Sequence, residues 1–293
     1  MKPFILRAAA LCLLLCLCLP LATACRSSTE SAYVLTFTRT YDAANTLLEL
    51  RTNTYNQNGW LESSVSDTLR RDLTYDRKGN LLTERTAYLR DGAETEVYED
   101  RWEYDRKGNA VRHSRYRLEG ETETLLGVTD RTYDREGRIL TETGVQTATA
   151  YVYGENGGYT ATETLVKDGS AVRVTTVEMN AAGQITSRKL QSADGSLEEY
   201  TATYSESGDL LTERYAFNGA EMESFRYEYE AHGEHSHLAR CIALREDAEI
   251  ERTVYGYDKN HNRTTAAVCT PEGVVKRTYV YEYTLMDIKK TKK

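Results

Sequence analysis

The sequence predicts an all-β protein, an elongated antiparallel meander or solenoid-like sheet of repeated hairpins. Three observations point there: an unusual composition, a recurring turn motif, and aromatic residues alternating with charged ones. The 293 residues include 22 Tyr against 4 Phe, 2 Trp, 4 Met and 3 Pro, and mean hydropathy is -0.60. Aliphatic material for a thick core is scarce, whereas Tyr, Thr and Val suit a half-buried pleated surface whose polar tips reach water.

The N-terminal segment stands apart. Lys2 and Arg7 precede an apolar run over residues 8–21, followed by Leu21-Ala22-Thr23-Ala24-Cys25. The run is short for a bilayer span, and its order of parts is that of a cleaved export signal over residues 1–24. The last residues resemble the lipobox of bacterial lipoproteins, which implies that Cys25 is diacylated and becomes the N-terminus. Ala22 stands where that motif usually has Leu, and Ala22-Thr23-Ala24 also satisfies the small-x-small rule of ordinary signal peptidase, which cuts the same bond. Residues 25–32 are small and polar, suited to a tether; residues 33–285 form the repeat domain and 286–293 a basic tail. The expected partner is therefore a membrane, reached through the lipidated N-terminus, with the protein exported and facing outside the cytoplasm.

The repeat begins with a turn. Tyr75-Asp76-Arg77-Lys78-Gly79 returns as Tyr104-Asp105-Arg106-Lys107-Gly108 and Tyr133-Asp134-Arg135-Glu136-Gly137, with successive glycines 29 residues apart. Degenerate copies carry Asn180 and Gly183, Ser205 and Gly208, and Asp258 with His261 in the glycine position; Asn45 ends an earlier copy. A short polar acceptor at the first turn position takes hydrogen bonds from backbone farther along, and Gly at the fourth supplies the positive φ that closes a type I turn with a bulge. Asn and His tolerate that conformation better than most residues. A second signal, Asp91-Gly92, Glu119-Gly120, Asp168-Gly169, Asp194-Gly195, Asn218-Gly219 and Glu272-Gly273, falls about halfway between. Each period then holds two strands, and hairpins join into a meander.

Period-2 alternation in the strand before each first turn places Trp102 with Tyr104, Tyr151 with Tyr153, Tyr227 with Tyr229, Tyr255 with Tyr257 and Tyr281 with Tyr283 on one face. The expected result is an aromatic ladder, stabilised by neighbouring repeats because a lone hairpin cannot bury it. Trp102, Tyr104, Tyr227, Tyr229, Tyr255 and Tyr281 are the candidate aromatic binding surface, a platform on which sugar rings can stack.

These motifs resemble the YD repeats of the RHS and teneurin class over about residues 33 to 283. The resemblance implies hairpins wound into a long sheet, which in large members forms a shell around a payload. Only the repeat fold is carried over, since Pro271 is the one proline after the signal and no payload follows.

No nucleophile elbow, phosphate loop, dinucleotide fingerprint or zincin helix is present, so no enzymatic activity and no cofactor is expected. A net charge of -8 disfavours nucleic acid. His232, His235 and His237 offer imidazoles for a metal but fall on a degraded turn, which favours an exposed insertion. Cys241 and Cys269 lie 28 residues apart, one period, and equivalent strands of a flat meander stand beyond disulfide reach, so both are expected as thiols. The functional expectation is a non-enzymatic envelope lipoprotein presenting its sheet for protein contacts, as in adhesion or scaffolding; the alternative is a carbohydrate or cell-wall binding module.

Overall fold

A computed structural model describes residues 29–155, 157–232 and 235–289; the segment read as a signal peptide and Cys25 lie outside them. The described chain is built of twenty strands. The first quarter is β1 (Thr29–Asp42), β2 (Leu47–Tyr55), β3 (Leu61–Val65), β4 (Leu69–Tyr75) and β5 (Leu81–Arg90). Next come β6 (Ala93–Tyr104), β7 (Ala110–Glu119), β8 (Thr122–Tyr133), β9 (Ile139–Thr143) and β10 (Thr147–Tyr153). The second half runs through β11 (Tyr159–Leu165), β12 (Ala171–Met179), β13 (Ile185–Ser192), β14 (Leu197–Tyr204) and β15 (Leu210–Phe217). It ends with β16 (Ala220–His232), β17 (His235–Arg245), β18 (Ala248–Tyr257), β19 (Arg263–Cys269) and β20 (Val275–Lys289). No helix occurs among the described residues. The first strand thus begins inside the segment read as a tether, and the last extends into the basic tail.

Every strand pairs antiparallel with its predecessor, and β1 also pairs with β20, from Thr29 opposite Lys289 to Asp42 opposite Arg277. The sheet is therefore a closed barrel. This corrects the elongated, solenoid-like sheet expected from sequence. The physical reason lies in the bulges: pairing slips by a residue at Thr54/Tyr55, Thr74/Tyr75, Glu103/Tyr104, Thr132/Tyr133 and Thr203/Tyr204, beside the first turns. It slips again at Tyr88/Leu89, Arg115/Tyr116, Tyr215/Ala216 and Ala243/Leu244, near the other rim. Each bulge bends and further twists its strand, so the ribbon coils until its edges meet and saturate each other's hydrogen bonds. A round barrel of twenty strands, spaced about 4.8 Å apart and tilted about 40°, is roughly 40 Å across.

The first turns show why these residues reverse the chain. Asp76 Oδ1 accepts the backbone N–H groups of Lys78 at 2.7 Å and Asn80 at 2.9 Å, while Oδ2 accepts Asn80 Nδ2–H at 2.8 Å. Asp105 repeats this with Lys107 and Asn109, and Asp134 with Glu136 and Arg138. Asn180, Ser205 and Asp258 accept from Gln184, Asp209 and Asn262 respectively. Asn45 and His261 occupy the glycine position at φ 62° and 68°. The other rim includes a turn without glycine, at Glu246 and Asp247, with φ of 49° and 61°.

Side chains are enclosed in two bands on opposite faces. Toward the first turns, the buried residues stand on the aromatic face: Ala161 opposite Tyr151, Val177 opposite Tyr159, Ala266 opposite Tyr255, and Ala202 opposite Glu213. Val152, on the other side between Tyr151 and Tyr153, is 71% exposed. Toward the far rim the burial changes face. Ala87 lies between Arg70 and Val97, and Ile242 between Arg226 and Arg252. The guanidinium of Arg85 reaches past Ala87 to both Glu94 oxygens, at 2.9 and 2.7 Å. Charged stems thus replace a second layer as the cover over small residues.

Two consequences can be measured. Gly79 combines φ +92° with a Trp60 ring whose Cζ2 would stand 2.8 Å from an added Cβ, whereas Gly183 has φ +77° and open space. Gly183→Ala should cost about 1–2 kcal/mol of backbone strain, and Gly79→Ala about 1 kcal/mol more in thermal or denaturant unfolding. The second concerns acid. The backbone N–H of Asn109, followed by its side-chain amide and Lys107, holds the Asp105 carboxyl below its usual range, and the N–H of Arg138 leads the same effect at Asp134. With folded values below the unfolded one of about 3.9, these groups stabilise the barrel above about pH 4, and the contribution disappears as pH falls through the folded values. The double variant Asp105→Asn, Asp134→Asn retains an Asx acceptor, as Asn56 and Asn180 already do. Circular dichroism should find it folded at neutral pH and less sensitive to acid than the parent.

Candidate binding surface

The tyrosine before each first turn is a clip between hairpins. Tyr104 Oη–H donates to the Leu81 carbonyl at 2.8 Å, Tyr133 to Ala110 at 2.7 Å, Tyr153 to Ile139 at 2.9 Å and Tyr204 to Ile185 at 3.0 Å. Each acceptor lies two residues past the preceding turn's glycine position, so the hydroxyl ties one reversal to the next. Tyr55 and Tyr257 donate similarly to Leu35 and Leu238. Phe supplies the ring but no donor, which accounts for the preference for Tyr.

Deeper on the same face, carboxylates sit among the rings. Glu213 is buried and accepts from Tyr200 Oη at 2.7 Å and from Tyr227 Oη. Glu142 accepts from Tyr151 at 2.5 Å and from Arg131 Nε at 2.6 Å. His113 stacks on Trp102, with ring centroids 4.9 Å apart, and its Nε2 lies 2.7 Å from Asp100. Arg71 donates to Glu84 at 2.7 Å. Burial, then the bond to Glu213 and its charge, push the Tyr200 phenol up; burial and the bond to Glu142 do the same at Tyr151. Burial beside Tyr283 and Tyr75 pushes Tyr55 up to about 12.

Against this geometry the sequence-derived binding residues separate. Tyr227 is 9% exposed and packed against Glu213, which leaves no ring face for a sugar. Tyr104 is a clip, and Tyr255 lies under the Arg263 guanidinium, 4.3 Å from its ring centroid. Tyr229 and Tyr281 belong to β16 and β20, and Trp102 is half-buried over His113. Trp60, absent from the sequence-derived set, packs against Tyr75 with ring centroids 5.4 Å apart and planes tilted by 47°. The pair borders a groove of about 370 Å³ whose polar wall includes Asn56, Asn58, Asp76 and Arg77. Trp60 directly follows the turn glycine Gly59, a position outside the alternation that selected the other aromatics.

The opposite face is charged as well. Arg101 bridges Glu99 at 2.5 Å and Glu123 at 2.6 Å, and Arg85 holds Glu94. Cys241 stands opposite Thr253, and Cys269 opposite Arg252, so adjacent β18 residues direct the two cysteines to different faces. Both are thiols. The side chains of His232 and His235 lie outside the described residues, and within those residues no three His, Cys, Asp or Glu side chains converge as a metal cluster.

No family model and no curated protein matches the chain. Among solved structures, a porin-like protein from Bacteroides vulgatus is 10% identical, with 85% of this chain and 98% of that one covered and a TM-score of 0.34. A porin-like protein from Bacteroides uniformis is 12% identical, covering 86% and 96%, with a TM-score of 0.28. The TcdB2-TccC3-TEV structure is 15% identical over 83% of this chain, with a TM-score of 0.31, and the chain spans 17% of its length. Superpositions this partial transfer neither fold nor function. The resemblance to YD repeats of the RHS and teneurin class is accordingly corrected: no family model supports it, and the hairpins form a closed ring rather than a winding sheet.

The raised tyrosines give a testable alkaline limit. Their folded values exceed the unfolded one of about 10, so the stability they carry is complete below about pH 10 and is lost as pH rises through the folded values. In an alkaline titration, part of the tyrosinate absorbance should appear only together with loss of β-sheet circular dichroism. Smooth ionisation of every tyrosine near pH 10 in a folded chain is the opposing result.

Proposed function

We propose that this chain is an exported envelope protein that acts by binding rather than catalysis, held at a membrane through lipidated Cys25 with the barrel itself in water. The observation that carries this reading is that ion pairs occupy both faces of the same strands. Arg71 with Glu84 and Arg131 with Glu142 stand on the aromatic face, Arg85 with Glu94 and Arg101 with Glu99 on the other. A lipid-facing barrel needs one face apolar over about 25 Å, and each Arg or Lys at the bilayer midplane costs about 2–4 kcal/mol there. Neither face meets that requirement.

The binding partner fits one of two chemistries: a protein docked on the charged face, or a glycan whose ring stacks at Trp60 beside the amide and guanidinium groups of the adjoining groove. A second reading, an outer-membrane channel, draws on the even number of up-and-down strands, twenty in all. Fractionation separates these. On the proposed reading, Cys25→Ala releases the processed protein from membranes into the aqueous fraction, and the purified protein leaves planar bilayers non-conducting. Retention in urea-washed membranes despite Cys25→Ala, with stepwise conductance, supports the channel and rejects the proposal.

A further inference from the structure

His237 and His261 come together from different elements. His237 lies in β17, its ring packed on Tyr257 with centroids 4.3 Å apart. His261 occupies the fourth position of the β18–β19 turn at φ 68°. The two rings are nearly perpendicular, at 81°, and His261 Nδ1 is 3.0 Å from His237 Nε2. The turn is anchored on both sides: Asp258 Oδ1 accepts the N–H groups of Asn260 and Asn262, and Asn260 Nδ2–H donates to Tyr33 Oη at 3.2 Å. These bonds hold the His261 backbone in place, while the aromatic stack fixes His237.

We propose that His237 and His261 form a two-point site for a borderline divalent transition ion, Zn²⁺ or Cu²⁺. Two imidazole nitrogens bound to one ion at about 2.0–2.1 Å stand about 2.9–3.4 Å apart, for ligand angles between square and tetrahedral. The observed 3.0 Å already lies in that interval, so binding requires small ring rotations that turn the lone pairs toward a shared point. Each imidazole then coordinates as the neutral form, and the proton shared between the rings moves to the outer nitrogen of the ring that carried it. Water completes the coordination shell, and the Asp258 carboxylate, three residues before His261, adds negative charge nearby. Imidazole coordination favours Zn²⁺ and Cu²⁺ over Ca²⁺ and Mg²⁺, which prefer oxygen.

The test uses the full processed chain with each metal ion alone. Calorimetry with Zn²⁺ should show one equivalent bound at neutral pH, and Cu²⁺ should show nitrogen hyperfine coupling in paramagnetic resonance. His261→Asn suits the positive φ, as Asn45 does in the equivalent turn, and His237→Phe keeps the stack on Tyr257. Each should weaken binding roughly tenfold or more while leaving the circular dichroism unchanged. His113→Gln should bind as the parent does. Absence of stoichiometric binding, equal affinity in both variants, or loss confined to His232→Gln or His235→Gln would overturn the assignment and leave the imidazole pair as a tie between turn and strand.

Discussion

The barrel depends on residues held at positive φ at the strand reversals. A hairpin register is set by its turn, and a one-residue slip would send the whole aromatic set to the opposite face. Short polar acceptors at Asp76, Asp105, Asp134 and their counterparts fix the start of each first turn. The left-handed residue three positions on forces the extra residue that becomes a bulge. Local backbone chemistry therefore determines both where the chain turns and how strongly the sheet bends.

Bending accumulates around the ring. An up-and-down ribbon closes antiparallel only when its strand number is even, because first and last strands then run in opposite senses. Twenty strands meet that condition, and the β1–β20 seam is among the longest pairings in the molecule. Closure replaces the second packed layer that most sheets need. Phenol clips on one face and guanidinium stems on the other occlude small residues such as Ala266 and Ala87. The barrel is thus stabilised by side chains lying along its own wall, consistent with the scarcity of Phe, Trp and Met.

Much of the local structure was legible. Tyr-Asp-x-x-Gly specifies a reversal through hydrogen-bonding capacity and φ preference, both properties of single residues, and Asn45 and His261 follow the same rule. Other turns left weaker marks. Glu246 and Asp247 adopt positive φ without glycine, and the β3–β4 and β9–β10 reversals, joining Val65 to Leu69 and Thr143 to Thr147, lack the acidic-glycine pair. Closure was not legible at all, because the curvature of each bulge is small and only its sum over the ring brings Thr29 to Lys289. For the candidate surface, alternation gave no measure of occupancy: Tyr227 is engaged by Glu213, and Trp60 lies against Gly79, outside the alternating positions. The pairing of His237 with His261 joins residues 24 positions apart in sequence, which local motifs do not reveal.

Thr29 and Lys289 sit side by side on the rim opposite the Asp-x-x-Gly turns. On the proposed anchoring through Cys25, a tether entering at Thr29 would leave from that rim and present the other one, with Trp60, His261 and the acidic corners, away from the membrane. The same adjacency makes the ring indifferent to where its chain is cut. A short linker joining the two ends, with new ends opened at an exposed reversal, would preserve every strand pairing and point the tether elsewhere, so orientation at a surface is separable from the architecture that is displayed.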